Sequence, residues 1–289
     1  MKILITGSRG FIGNALRKRL LREGHDVKEF DAWTGNNLLD IKQLRMATKG
    51  VKVVYHLAAE ADLNNAKKFT LPAMNVNVAG TYYLAQACSE NGCLLNYIST
   101  CCVYGNQETH PTTEANAPSP TEIYAYSKLA GENCIKGYAL TTGLKYNILR
   151  IATVYGPGMR SALAIKIFFD RALKNEQLHI HGNGLQTRTM TYIDDIVDGL
   201  VAVLAKDVVG ETINITTEEE VMIHDIAKRI ISITSSKSSM IYVNDRPGQI
   251  IKEAFDTIKA KQMLGWSAKV TLNDGLKRTY EWIKFLKQR

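Results

Sequence analysis

Tyr124 and Lys128 stand four residues apart in a segment, Tyr124–Thr141, whose pattern predicts a long helix, so their side chains share one helix face. A lysine ammonium beside a phenol favours the phenolate, and the spacing therefore predicts a tyrosine pKa below its usual value near ~10. A phenolate is a general base that can take a proton from an alcohol. A packed or solvent-facing helix pair is the plain alternative. The strand predicted at Leu95–Ser99 brings two hydroxyls, Ser99 and Thr100, followed by two thiols, Cys101 and Cys102.

A second group of residues is suited to an anionic ligand. Thr6-Gly7-Ser8-Arg9-Gly10-Phe11-Ile12-Gly13 follows an apolar strand directly and opens a helix, in the pattern G-x-x-G-x-x-G. Glycines allow the tight turn and let the backbone approach a pyrophosphate, whose charge sits at the helix N-terminus. Gly7, Arg9, Gly10, Phe11, Ile12 and Gly13 are therefore candidate dinucleotide contacts. Asp31 closes the second strand, 24 residues beyond Gly7. An acid there accepts hydrogen bonds from the ribose hydroxyls and repels a 2′-phosphate. Ala32 and Trp33, next in the chain, supply no arginine for that phosphate, so NAD is expected rather than NADP. A strand-end turn carboxylate is the plain alternative for Asp31.

These residues need elements to position them. Lys2–Thr6, Val27–Asp31, Val53–Leu57, Leu95–Ser99 and Tyr146–Ile151 read as strands. Ile12–Arg22, Leu39–Lys49, Ala73–Glu90 and Tyr124–Thr141 read as helices. The alternation predicts an α/β fold, a Rossmann-like doubly wound parallel sheet with ligands at the carboxyl ends of its strands. After Gly156 the order loosens, with loops around Gly182–Thr191 and short strands near Glu211–Ile215 and Met240–Val243. Residues 1–155 are expected to form the dinucleotide-binding domain, with 190–215 returning to it. Residues 156–289 are expected to form mainly a smaller C-terminal substrate-binding lobe. The absence of a repeat or flexible linker predicts that the two parts are packed together.

Composition narrows the class. The chain has 289 residues, 45% hydrophobic and 22% charged, which is ordinary for a globular protein. It carries no apolar run long enough to span a bilayer, and its opening MKILITG is too short for a signal peptide. Five cysteines, Cys88, Cys93, Cys101, Cys102 and Cys134, include no C-x-x-C pair. Reduced thiols in a cytoplasmic protein are expected, rather than disulfides or a metal site. The net charge of +8 lacks the aromatic–basic interleaving of a nucleic-acid binder. It reads as solvated helix surface plus arginines for an anionic substrate.

Further ordered motifs accompany the glycine loop: His56-Leu57-Ala58-Ala59, Asn77-Val78-Ala79-Gly80-Thr81, Ser99-Thr100-Cys101-Cys102-Val103-Tyr104-Gly105 and Tyr124-Ala125-Tyr126-Ser127-Lys128. Leu149-Arg150, Val154-Tyr155-Gly156-Pro157-Gly158, Gly182-Asn183-Gly184-Leu185-Gln186-Thr187-Arg188, Tyr192-Ile193-Asp194-Asp195, Arg246-Pro247-Gly248 and Leu264-Gly265-Trp266 follow. Over its whole length the chain resembles the extended short-chain dehydrogenase/reductases, the NAD-dependent epimerase/dehydratase family.

The resemblance implies a role for each of several residues. Asn37, in place of a more usual Asp, would contact adenine with Leu38 beside the ring. Leu57, Ala58 and Ala59 would line the cofactor cleft, and Asn77 would begin the long helix near the active site. Tyr124 and Lys128 would reach both cofactor and substrate. Thr100 would be the third catalytic residue, with Ser99 as the alternative one register earlier. Cys101 and Thr153 would lie beside the substrate, Thr153 where the family often has Asn. Arg188 and Arg246 would bind the diphosphate of a nucleotide sugar. Asp256 is expected to cap a helix, and Tyr192–Asp195 to brace the two lobes.

The implied activity is that of an NAD-dependent nucleotide-sugar epimerase, UDP-hexose 4-epimerase-like, acting through transient oxidation to a keto-sugar. Family dehydratases carry Asp-Glu, and decarboxylases Ser-Glu, where this chain has Cys101-Cys102. Dehydratase, decarboxylase and reductase chemistry are the alternatives within the family. A non-catalytic NAD-binding redox sensor is the alternative outside it, and the Tyr-Lys pair counts against that. Both cysteines read as small packing residues, with a thiol acting on substrate as the alternative. The two long helices of the first half imply a homodimer.

Overall fold

Ile3 and Ile5 of the first strand enter one hydrophobic cluster, and Leu4 between them enters another. Alternation of this kind buries a strand on both faces and requires helices on both sides of the sheet. A computed structural model of the chain describes residues 1–287, the side chains at 63 and 64 excepted. Its first half runs Lys2–Thr6 (β1), Phe11–Arg22 (α1), Asp26–Phe30 (β2), Ile41–Thr48 (α2) and Val53–His56 (β3). Leu63–Lys68 (α3) and Thr70–Met74 (α4) lead through a π-helical turn, Asn75–Gly80, into Thr81–Glu90 (α5). Leu94–Thr100 (β4), Ile123–Thr142 (α6) and Tyr146–Ile151 (β5) follow. The second half comprises Thr153–Tyr155 (β6), Ala164–Ala172 (α7), Leu178–His181 (β7), Thr187–Tyr192 (β8), Ile193–Ala205 (α8) and Thr212–Ile215 (β9). Glu220–Met222 (β10), Ile223–Thr234 (α9), Met240–Val243 (β11), Ile258–Leu264 (α10) and Leu272–Lys287 (α11) complete it.

The central sheet has six strands in the order β2-β1-β3-β4-β5-β9, all paired in parallel. This is the Rossmann-like arrangement that the strand–helix alternation predicts. The chain steps from β1 outward to β2, then crosses back to β3 on the other side. The crevice beyond the carboxyl ends of β1 and β3 is thus the point where ligands of such sheets bind. A three-stranded sheet, β10-β8-β6, and a two-stranded one, β11-β7, lie outside the central sheet.

One helix differs from its expectation. The segment 73–90 is not one uniform α-helix, because residues 75–80 form a π-helical turn. The side chain of Asn77 is committed elsewhere: Nδ2 donates to Glu60 O (3.0 Å) and Ser127 Oγ (2.8 Å), and Oδ1 accepts from Glu60 N (2.8 Å). A π turn admits an extra residue into the helix and re-aims the side chain. Asn77 therefore sits inside the helical run rather than at its start.

The segment Tyr192–Asp195 ties α8 to the C-terminal part of the chain. Asp195 Oδ2 accepts from Val270 N (2.9 Å), and Asp195 O accepts from Trp266 Nε1 (3.0 Å). Trp266 is buried against Gly199, where any Cβ would lie 3.1 Å from the indole. Asp256 caps the turn before α10 through a bond from Ile258 N (2.8 Å). Removing a buried tryptophan leaves a cavity and an unpaired carbonyl. Trp266→Ala should lower stability by about 3–5 kcal/mol. Urea unfolding checks this, and a midpoint like that of the wild type would refute it.

Candidate active site

The glycine loop closes β1 onto β3. Gly7 has φ +70°, and a Cβ on it would lie 2.7 Å from Ala58 N. A Cβ on Gly13 would lie 2.1 Å from Gly7 O, so the loop and the first turn of α1 touch backbone to backbone. Gly10 caps α1 with no side-chain hydrogen bond, which leaves first-turn N–H groups for an anionic ligand. Asp31 Oδ2 accepts from Arg9 N (2.8 Å) and Oδ1 from Trp33 N (3.0 Å), so the carboxylate also holds the loop in shape. Gly7, Gly10, Asp31, Asn37, Leu38, Leu57, Ala58 and Ala59 line one cavity of about 350 Å³ at the switch point. Phe30, Asn36, Glu60 and Val76, which spacing alone does not single out, line it too. A cleft of this size beside an uncapped helix and a ribose-accepting carboxylate fits the phosphates and adenosine ribose of NAD. Asn37 Oδ1 already accepts from Leu39 N (2.9 Å), leaving a second lone pair and the Nδ2 donors.

A buried chain of hydrogen bonds runs from this cleft to the helix that carries Tyr124. Thr6 Oγ1 bonds His56 Nδ1 (2.7 Å), and His56 Nε2 bonds Thr81 Oγ1 (3.0 Å). Thr81 Oγ1 donates to Asn77 O (2.7 Å), Asn77 Nδ2 to Ser127 Oγ, and Ser127 Oγ to Tyr124 O (2.7 Å). Since Thr81 donates onward, His56 is assigned as the Nε2–H tautomer. Burial, with Lys128 adding to it, pulls the His56 pKa down to about 3 and keeps the ring neutral.

Tyr124 lies in the first turn of α6. Glu122 caps that turn, accepting from Tyr124 N and Ala125 N at 2.9 Å each. Lys128 follows one turn later, 2% exposed, with Nζ 4.1 Å from the centre of the Tyr97 ring. Burial pulls its pKa down to about 7, against the raising effect of Glu132. Burial also pushes the Tyr124 phenol up, with Cys102 adding to the push; Arg160 and a hydrogen bond with Thr100 act against it. The lowered tyrosine pKa expected from the Lys128 spacing is therefore not produced by the polypeptide alone. Desolvation of the phenolate outweighs the opposing charge of Arg160.

Thr100 ends β4 and accepts from Cys102 N (3.2 Å), next to Tyr124. Ser99 points the other way and donates to Glu132 Oε1 (2.5 Å), which removes it as the alternative hydroxyl. The two cysteines divide similarly. Cys101 is buried and donates from Sγ to Arg150 O (3.5 Å). Cys102 departs from the expectation of a fully packed residue: it is partly exposed and within electrostatic reach of Glu253, Glu122, Arg188 and Tyr124. Burial of its sulfur, reinforced by Glu253, pushes the thiol up to about 12, which makes it a poor base.

Arg188 and Arg246 lie within electrostatic reach of each other. Partial desolvation and then the charge of Arg188 lower the pKa of Arg246, with Asp245 acting against them. Arg188 Nη1 donates to Thr187 O (2.7 Å) and Ile250 O (2.8 Å), and Nε lies 3.5 Å from the buried Glu253. The Arg246 loop is pinned to the segment before α6 by Thr121 Oγ1 donating to Gly248 O (2.7 Å). Thr153 begins β6 opposite Met190 of β8. Two neighbouring arginines with one partnering carboxylate leave a net positive charge, which is chemically suited to a polyanion.

The model of the NAD dependent epimerase/dehydratase family matches residues 3–216. The chain belongs to that family. It is 31% identical to an uncharacterized UDP-glucose epimerase of Bacillus subtilis, over 100% of this chain and 99% of that protein. UDP-glucose 4-epimerase from Thermotoga maritima, solved with UDP-glucose, superposes with a TM-score of 0.94 at 29% identity, covering 99% of this chain and 100% of that one. UDP-glucuronic acid 4-epimerase from Bacillus cereus, solved with UDP-glucuronic acid and NAD, has a TM-score of 0.92 at 32% identity, with the same coverage. As a member of this family the chain is an NAD-dependent enzyme.

Asp31 holds the loop, and a role in discriminating the ribose would be separable from that one. Asp31→Ala should lose both, narrowing the gap between NAD and NADP and weakening NAD itself. Asp31→Asn keeps an acceptor oxygen for the loop and should narrow the gap with less loss of NAD affinity. Calorimetric titration of each protein with both dinucleotides reads this. Equal affinity of the wild type for NAD and NADP would refute the assignment.

Proposed function

We propose that the chain is a nucleotide-sugar epimerase of the UDP-hexose 4-epimerase kind. The observation that carries this reading is the Tyr124–Lys128–Thr100 constellation with no carboxylate at positions 101 and 102 to assist elimination. In this proposal residues 1–155, with 190–215, hold NAD, and residues 156–289 mainly hold the sugar nucleotide. Bound NAD supplies a reversible hydride acceptor carrying a positive charge. Tyr124 removes the proton of the ring hydroxyl, assisted by that charge and by Lys128. Thr100 donates a hydrogen bond to the same substrate oxygen, and Arg188 with Arg246 anchors the diphosphate. Release of the transient keto-sugar from Tyr124 and Thr100 and rotation about the anchored diphosphate would turn its other face to the cofactor; return of the hydride to that face would invert the carbon centre while Tyr124 gives its proton back to the oxygen. Five free cysteines support a reducing, cytoplasmic setting.

Incubation with a panel of UDP-, dTDP- and GDP-sugars, read by NMR, tests the activity and names the substrate. Tyr124→Phe keeps the ring and should bind NAD normally while losing about 10²–10⁴-fold in rate. Lys128→Ala should cost turnover in a related way. Thr100→Val should cost less, since it removes one hydrogen bond worth about 1–3 kcal/mol. Cys101→Ala and Cys102→Ala should keep most activity. Wild-type turnover by Tyr124→Phe together with a dead Cys102→Ala would sink the proposal.

The same reading includes a homodimer built on α5 and α6. Exposed Phe69 just before α4, with Leu71, Tyr82 and Tyr126 on α4, α5 and α6, supports it, as does the edge-to-face contact of Tyr82 with Tyr138 at 5.6 Å. Light scattering should give twice the chain mass. A persistent monomer, or a dimer unaffected by Tyr82→Glu with Tyr126→Glu, would count against it.

A further inference from the structure

Tyr124, Lys128 and Glu132 recur at four-residue intervals along α6 and so lie on one face of it. Glu132 has no exposed surface. Its Oε1 accepts from Ser99 Oγ (2.5 Å) and Arg150 Nε (3.0 Å), and its Oε2 from Arg150 Nη2 (2.6 Å). Arg150 is itself buried, with its guanidinium 4.7 Å from the centre of the Tyr104 ring. The carboxylate therefore has no rotational freedom, and both its oxygens are held by β4 and β5.

The surroundings of Lys128 make this carboxylate consequential. The ammonium packs on Tyr97 of β4 and lies within electrostatic reach of His56 of β3, with Tyr124 one turn before it on α6. His56 is neutral, and Tyr97 is buried with its phenol pushed up. Glu132 is the charge that acts on the ammonium against desolvation. Around Glu132 the charged groups are Arg150 of β5 and Lys136 of α6, the latter 4.0 Å away and outward-facing. Tyr97 and Cys134 complete the titratable set on that side.

We propose that Glu132 is a positioning residue for the proton-transfer step: locked by Ser99 and Arg150, it holds Lys128 as the ammonium, so that the proton missing from the Tyr124–Lys128 pair is the one from Tyr124. The inference rests on the general-base reading of Tyr124. A pair that has lost one proton has two arrangements, phenolate with ammonium or phenol with amine. Glu132 is one helical turn from Lys128 and two from Tyr124, so its charge favours the ammonium more than it opposes the phenolate. Burial already brings Lys128 down to about 7 with Glu132 one turn away on the same helix face, so loss of that carboxylate shifts the pair toward the amine.

The test uses the full-length, NAD-loaded protein. The near-ultraviolet difference spectrum against Tyr124→Phe reports the Tyr124 phenolate and needs no sugar. Glu132→Gln should lose most of that phenolate at neutral pH. Turnover on the sugar found by the panel should fall about tenfold or more, the change expected for one pKa unit, chiefly in kcat rather than KM. Glu132→Asp should recover part of both. In a Lys128→Met background Glu132→Gln should have no further effect on turnover, which a merely structural role would not predict. If Glu132→Gln fails to fold because Arg150 is left unpaired, the paired Glu132→Gln/Arg150→Met protein removes both charges and carries the same expectation. A folded, NAD-binding variant with wild-type phenolate and kcat overturns the inference, as does an additive loss on top of Lys128→Met. An active Tyr124→Phe would instead overturn the general-base reading beneath it.

Discussion

An ammonium group kept away from water is costly unless something nearby replaces its hydration. Lys128 meets that requirement only in part, with the Tyr97 ring against its ammonium and the charge of Glu132 one turn along α6. Gly131 has no side chain because Tyr97 occupies the space: a Cβ there would lie 2.5 Å from the tyrosine oxygen. Tyr97 then donates to Lys128 O (3.3 Å), tying the helix to the strand at the residue that carries the charge. Glu122 sets where the helix starts, and with it the height of Tyr124 above the sheet.

The site has two halves that are mechanically one. Gly7 and Ala58 bring the ends of β1 and β3 into backbone contact and form the floor of the cofactor cleft. From Thr6, directly before Gly7, hydrogen bonds pass through His56, Thr81, Asn77 and Ser127 to the backbone of Tyr124. Every group in that run is a neutral dipole, and His56 is held neutral by burial, so it fixes geometry without adding charge beside Lys128. The π turn at Asn75–Gly80 belongs to the same device, because it frees Asn77 to reach Glu60 and Ser127 together.

On the substrate side the arginines are braced rather than free. Two carbonyls and Glu253 fix the Nη1 and Nε edge of Arg188, while Thr121 fixes the loop that carries Arg246. Loss of side-chain entropy is thereby met on folding, not on binding. Cys102, within electrostatic reach of Arg188 and Tyr124, contributes a small half-buried surface with its proton firmly held.

Local spacing was enough to read the parallel sheet, the glycine loop, Asp31 and the Tyr124–Lys128 pair, because each depends on periodicity or on neighbours within a few turns. Family motifs added Thr100, Arg188 and Arg246 as candidates. The sequence could not show that Cys101 turns inward while Cys102 turns toward Tyr124, since the tight turn after β4 decides it. Nor could it show that Ser99 serves Glu132 and Thr100 serves Tyr124. Glu132 with Arg150, and Arg188 with Glu253, are buried charges whose partners lie on other elements, at separations no periodicity encodes. The direction of the Tyr124 pKa is the sharpest case. Residue type and spacing alone point downward, but the burial that only the tertiary structure imposes points upward, because desolvation acts on the charged form whichever residues stand nearby.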